Sequence, residues 1–142
     1  MGCGVGPVEV EHAIRPGTDQ VCADLVASLP DVVDDAVRRD VDASPPGVAA
    51  WGQPPIILRC GVAEPTGLDP TQAVFEVGGI GWRALAGQGG TFFYTDGRAA
   101  VLEVAIPDDY APESVVLLDL ADAVTTSVPP VSEGPADAAA PS

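Results

Sequence analysis

VFEVGGIGWRAL, residues 74–85, is the stretch that decides the fold. Gly78-Gly79 is the glycine pair favoured by a two-residue hairpin turn with positive φ, and it sets Val77 opposite Ile80 and Phe75 opposite Trp82. Side chains alternate along each strand, so these four form one apolar face. The segment therefore reads as an antiparallel hairpin with a core on one side. A second hairpin follows, in which Asp96-Gly97 joins a strand over 91–95 to one over 98–106. Between the two hairpins Gly87 to Gly90, in AGQGG, reads as a mobile connection and not as a phosphate loop, because no helix follows it.

Upstream lies WGQPPIILRCGV, residues 51–62. Its prolines impose an extended lead-in, and a strand runs from Ile56 to Val62 with Ile56, Leu58 and Cys60 on one face and Ile57 and Arg59 on the other. Before it, Val21, Cys22, Leu25, Val26 and Leu29 recur at helical spacing, with Thr18 placed to cap the helix and Pro30 to end it. A more polar turn or helix is expected from Pro30-Asp31 to Arg39, broken by Ser44-Pro45-Pro46-Gly47. Downstream, Pro107-Asp108-Asp109-Tyr110 leaves the sheet. Pro112 suits a first helical position, and Leu117, Leu120, Ala121 and Val124 follow helical spacing.

These elements predict an α+β fold: an antiparallel sheet of four or five strands built from two hairpins, with an N-terminal and a C-terminal helix packed on one face. Residues 1–17 are expected to be a flexible Gly-rich tether, in which Val8-Glu9-Val10-Glu11 hints at a short strand. Residues 18–128 form the single domain, and 129–142 a disordered acidic Pro/Ala-rich tail.

The chain has 142 residues, the usual size of one domain with one core. Six Lys+Arg against 21 Asp+Glu give a net charge of −15, which repels phosphate backbones and excludes nucleic acid as an expected partner. The acidity reads as solubility rather than as a cation-binding surface. No apolar run approaches the ~18 to 20 residues of a membrane span. The sequence also opens without the basic start and apolar middle of a secretory leader, so an exported form is expected to have shed it.

Three cysteines leave one unpaired. Cys22 lies on the apolar face of the first helix, and Cys60 shares a side with Ile56 and Leu58, so packing that helix on that strand brings the two together. A bridge between them would stabilise by about 3 to 4 kcal/mol and implies an oxidising compartment. Two separate buried thiols are the alternative. Cys3, in Gly2-Cys3-Gly4, matches what remains when a bacterial lipoprotein signal is cut away; a lipid there would anchor the chain to a membrane, and an accidental thiol is the alternative.

Read together, the helix with Cys22 and Leu29-Pro30, the WGQPPIILRCGV run, the VGGIGW hairpin and YTDGRAAVLEVAIP (residues 94–107) resemble the actinobacterial family catalogued as domain of unknown function 3515. The resemblance runs from about Val21 to Val124, and the tryptophan-glycine to leucine-arginine-cysteine-glycine run is its most specific part. It implies an N-terminal signal or membrane segment and hence an envelope location. It implies no activity. The sequence departs from that pattern in lacking the N-terminal segment and in its acidic tail, which leaves the mode of anchoring open.

The catalytic inventory is thin. His12 is the only histidine, and a Ser-His-Asp or Cys-His set would have to recruit it from the expected tether. No cysteine pair has zinc spacing, and no metal or cofactor is assigned. The acid pairs Asp34-Asp35 and Asp108-Asp109 read as solvated surface, and Asp108, Asp109 and Glu113 lack the ordered spacing of a calcium loop. More suggestive are Arg59, Arg83 and Arg98, one from each of three strand regions. Arg59 points away from Cys60 and Arg83 away from Trp82, toward the sheet face opposite the helices. With Trp51 or Tyr94 they form a candidate patch for an anion or a sugar, since guanidinium forks and aromatic faces suit both. The alternative is that each arginine pairs with an acid such as Glu76 or Glu103. The expected function is a non-enzymatic exported envelope domain that binds a partner protein or a small anionic or sugar ligand. A carboxylate-dependent enzyme using Asp108 or Asp109 and a structural or assembly protein are the alternatives.

Overall fold

The glycine pair forms the expected turn: Gly78 and Gly79 have φ of 62° and 87°, Val77 pairs with Ile80 and Phe75 with Trp82. The computed structural model describes residues 6–42, 46–66 and 74–131. In chain order these form α1 (Asp19–Ser28), β1 (Val32–Val33), β2 (Ala36–Arg39), β3 (Val48–Trp51), β4 (Ile56–Cys60), β5 (Phe75–Val77), β6 (Ile80–Gly87), β7 (Gly90–Thr95), β8 (Leu102–Pro107) and α2 (Ser114–Ser127), with a 3₁₀ turn at Asp108–Tyr110. The fold is α+β. Among the described residues it has one antiparallel sheet, ordered β1-β2-β3-β4-β8-β7-β6-β5.

The sheet thus has eight strands where four or five were expected. Part of the excess is a hairpin over the segment expected as a polar turn or helix. Asp34 and Asp35 turn it with φ of 47° and 65°, the left-handed conformation that aspartate tolerates better than most residues. The Asp34 N–H donates to Asp119 Oδ2 at 2.8 Å, tying this turn to α2. A further strand, β3, precedes and includes Trp51, before the proline lead-in.

The second hairpin also differs. Its strands pair Tyr94 with Glu103, so Asp96-Gly97 begins a wide loop instead of closing a two-residue turn. Thr95 Oγ1 accepts the Leu102 N–H at 2.9 Å, replacing a backbone bond at the mouth of that loop. Arg98 leaves the hairpin to bridge Pro130; the Ala99 N–H donates to Pro129 O and the Val131 N–H to Gly97 O, each at 2.8 Å. The first residues of the expected disordered tail are therefore paired. The Gly87 to Gly90 connection is a tight turn, with Gly87 directly opposite Gly90. A Cβ at Gly90 would lie 2.5 Å from the Ile106 carbonyl oxygen, which restricts the position to glycine.

The first layer of the core comes from alternate sheet residues, among them Leu58, Cys60, Leu102, Val104, Ile80 and Trp82, all fully buried. The second comes from Cys22 and Leu25 of α1 and from Val116, Leu117, Leu120 and Val124 of α2. Helix placement corrects the expectation of two helices each laid on the sheet face: α1 packs chiefly on α2 rather than on the strands, and α2 packs over β1, β5 and β6. A disulfide joins Cys22 of α1 to Cys60 of β4, with Cα atoms 5.6 Å apart. Thr18 does not cap α1 with its side chain; its hydroxyl donates to Arg15 O at 2.8 Å. Among the described residues no helix is long and apolar enough to cross a membrane.

Residues 6–17, expected as tether, are docked on the domain. Val8 is buried and forms a parallel bridge with Val41, donating its N–H to Asp40 O at 2.9 Å and accepting that of Asp42 at 2.7 Å. Arg39 Nη2 donates to Gly6 O at 2.6 Å and the Arg15 N–H to Gly61 O at 2.9 Å. The segment is a strap held by guanidinium and backbone hydrogen bonds.

Candidate functional site

Four neighbouring strands place one residue each in a row across the sheet: Arg59 on β4, Glu103 on β8, Tyr94 on β7 and Arg83 on β6, each directly opposite the next. Each alternates along its strand with core residues, so the row lies on the face away from the helices. Arg59 Nε donates to Glu103 Oε1 at 2.8 Å, and Nη2 lies 2.6 Å from the same oxygen. Tyr94 donates its hydroxyl to Glu103 Oε2 at 2.8 Å. Both carboxylate oxygens are thus engaged. Glu103 and Tyr94 are 7% and 8% exposed, while the Arg59 side chain remains 32% exposed. Burial pushes the Tyr94 phenol up to about 12, helped by the hydrogen bond to Glu103 and its negative charge and opposed by Arg59.

Arg59 Nη1 reaches toward Glu11 O of the strap at 3.4 Å. Between strap and sheet lies a shallow cleft of about 660 Å³, lined by Glu11, His12, Ala13, Arg59, Val62, Ala63 and Glu103. The His12 ring is 2.6 Å from Cys60 O through Nε2. A carbonyl only accepts, so Nε2 carries the proton, and Nδ1 is the ring's other polar atom. The cleft therefore presents one guanidinium, oriented by a carboxylate that is itself oriented by a phenol, beside His12 and Glu11 of the strap.

The family model described as "Protein of unknown function (DUF3515)" matches residues 3–132. The chain belongs to this family. No curated protein and no solved structure matches it. In this DUF3515 chain the matched span takes in the strap, both bridged cysteines and the whole row from Arg59 to Arg83.

The arginine and aromatic residues singled out by sequence do not form one patch. Arg59 and Tyr94 meet through Glu103. Arg83 is next in the row, but its Nε lies 3.5 Å from Asp96 Oδ1 and it does not line the cleft. Arg98 donates Nη1 to Val128 O at 3.0 Å and Nη2 to Gly79 O at 3.4 Å, clamping the end of α2 to the first hairpin turn. Trp51 is fully buried; its Nε1 donates to Pro30 O at 3.0 Å, and Arg38 covers the ring 5.5 Å from its centroid. The acid pairs fall elsewhere, Asp34-Asp35 in a turn and Asp108-Asp109 in the 3₁₀ segment. Cys3 lies outside the described residues.

Glu11, His12, Ala13, Val62 and Ala63 were not among the sequence candidates for a ligand site in this DUF3515 chain, and Glu103 figured only as an arginine partner. Glu103 had a readable signal, being the one charge in the apolar run LEVAI. His12 had none, because what brings it to the cleft is a bond to the backbone of β4.

Proposed function

We propose that this chain is an exported, non-enzymatic binding domain of the cell envelope, taking a small anionic or sugar ligand, or the same group on a partner, in the cleft between strap and sheet. The observation that carries the reading is Arg59: a partly exposed guanidinium whose orientation is set by Glu103 on the cleft floor. A guanidinium held in place by its neighbours loses little freedom on binding and offers its outer N–H groups as a fork to a carboxylate, a phosphate or vicinal hydroxyls. Glu103, with both oxygens engaged, serves as a positioning group for it. The Cys22–Cys60 bridge supports export, because such bridges persist in oxidising compartments. A lipid on Cys3 would hold the strap, and the cleft it borders, a few residues from a bilayer.

The test is a titration of the isotope-labelled chain with inorganic phosphate, acetate and N-acetylglucosamine as probes. Saturable shifts at His12, Ala13, Val62 and Ala63 together with the Arg59 Nε signal, lost in Arg59→Gln and kept in Arg98→Gln, support the proposal. Absence of saturable shifts at those positions with all three probes contradicts it.

A further inference from the structure

The sheet ends on one side at β5, whose outer edge has no neighbouring strand among the described residues. In a two-residue hairpin the residues flanking the turn exchange both backbone hydrogen bonds, so Val77 and Ile80 are the bonded pair and Glu76 and Gly81 the next, non-bonded one. Gly81 bears this out, since its carbonyl accepts the Asp96 N–H at 3.0 Å, from the side away from β5. The Glu76 N–H and C=O therefore point outward from the sheet edge. Beside them, on the side that faces α2, is an apolar surface: Phe75 is 37% exposed, and Val115 and Leu118 of α2 are 39% and 57% exposed. Leu118 borders the turn, for a Cβ at Gly78 would lie 3.3 Å from its Cδ1. Strand edges are commonly protected by shortness, charge, proline or a bulge; β5 is three residues long with one charge, Glu76, and carries no lysine, proline or bulge.

We propose that the β5 edge is a docking strand for an extended segment of another protein in which apolar residues alternate with lysine or arginine. Strand addition would satisfy the outward Glu76 groups, lay the apolar side chains along Phe75 and Leu118, and set the basic ones near the Glu76 carboxylate. Charge decides between this occupant and a second copy of the chain. Two copies joined antiparallel at β5 would bring their Glu76 side chains together, on molecules that each carry −15. The other sheet edge is a poorer template, because β1 is only two residues long.

The test uses the full chain and two synthetic peptides, one alternating valine with lysine and one alternating valine with glutamate. The lysine peptide is expected to shift the Glu76 and Val77 amides and the Leu118 methyls saturably, and the glutamate peptide to bind several-fold more weakly. Glu76→Pro removes the outward N–H without touching an internal ladder bond, so it should abolish binding while the circular dichroism spectrum is retained. Glu76→Lys should reverse the preference between the peptides, which provides a second readout if the proline variant does not fold. The proposal is overturned if neither peptide moves β5, if the lysine peptide shifts acidic surface elsewhere and leaves β5 unmoved, if both peptides bind equally, or if a folded Glu76→Pro binds as the parent does. Shifts at β5 that depend on the concentration of the chain alone would overturn it in favour of a second copy.

Discussion

Arg59 and Glu103 stand directly opposite one another on β4 and β8, joined by an Nε–Oε1 bond of 2.8 Å. The arginine is partly solvated and the glutamate is buried, so the two partners are not equivalent. Arg59→Met leaves a buried carboxylate with Tyr94, among the described residues, as its remaining side-chain donor and is expected to cost about 1 to 3 kcal/mol. Adding Glu103→Gln removes the stranded charge and keeps an acceptor for Tyr94, so the double variant should recover most of that loss. Urea midpoints at constant slope measure both; a double variant less stable than Arg59→Met would contradict this assignment.

Tyr94 should titrate near 12 in the folded chain, chiefly because it is buried, and near the ordinary 10.0 when unfolded. The folded state thus holds the phenolic proton more tightly. This stability is fully present below pH 10.0 and is lost as pH rises toward about 12, over which range the unfolded chain gives up its proton first. Tyr110 is also shifted upward, again mainly by burial. Tyrosinate absorbance of the native protein should therefore show no step at the ordinary tyrosine value. Glu103→Gln should lower the Tyr94 step, since that carboxylate contributes to the shift both as hydrogen-bond partner and as charge.

Gly78 and Gly79 both have positive φ, but only Gly78 is crowded: a Cβ there would lie 2.6 Å from the Ala121 Cβ, whereas at Gly79 it would meet nothing within 4 Å. Gly79→Ala should cost about 1 kcal/mol of backbone strain. Gly78→Ala adds the collision with α2 and should cost about 2 to 4 kcal/mol. Combining Gly78→Ala with Ala121→Gly should return part of the difference, a coupling that a double-mutant cycle in denaturant measures. Equal losses for the two alanine variants would show that α2 does not seat on this turn.

The hairpin at Gly78-Gly79 was legible because two glycines in a row have few other uses between apolar residues that alternate. The hairpin at Asp34-Asp35 was not, since the same backbone is formed there by two aspartates and β1 spans only Val32–Val33. Alternation within β4 placed Arg59 and Cys60 on opposite faces, and the Cys22–Cys60 pairing followed. Pairing of an arginine with Glu103 was the sequence alternative to a ligand patch, and Arg59 bears it out; the full row Arg59, Glu103, Tyr94, Arg83 could not be read locally, because Arg59 and Glu103 are 44 residues apart and nothing in either strand fixes that register. The strap was missed for another reason. Backbone bonds at Val8 and Arg15 and bonds from Arg39, Arg59 and His12 to main-chain carbonyls hold it, and such bonds leave no periodicity in sequence.

The Cys22–Cys60 bridge fixes α1 to the strand that carries Arg59 and is the main support for export. With a separation of 38 residues, its loss through Cys22→Ser with Cys60→Ser should cost about 4 kcal/mol in the chain-entropy view. The most direct measurement is peptide mapping by mass spectrometry on protein taken from its own cells, with free thiols alkylated before digestion and no reductant added. A linked pair of peptides containing Cys22 and Cys60, with neither residue alkylated, is the predicted result. Recovery of both cysteines in alkylated form would contradict the bridge and remove the main support for an exported binding domain.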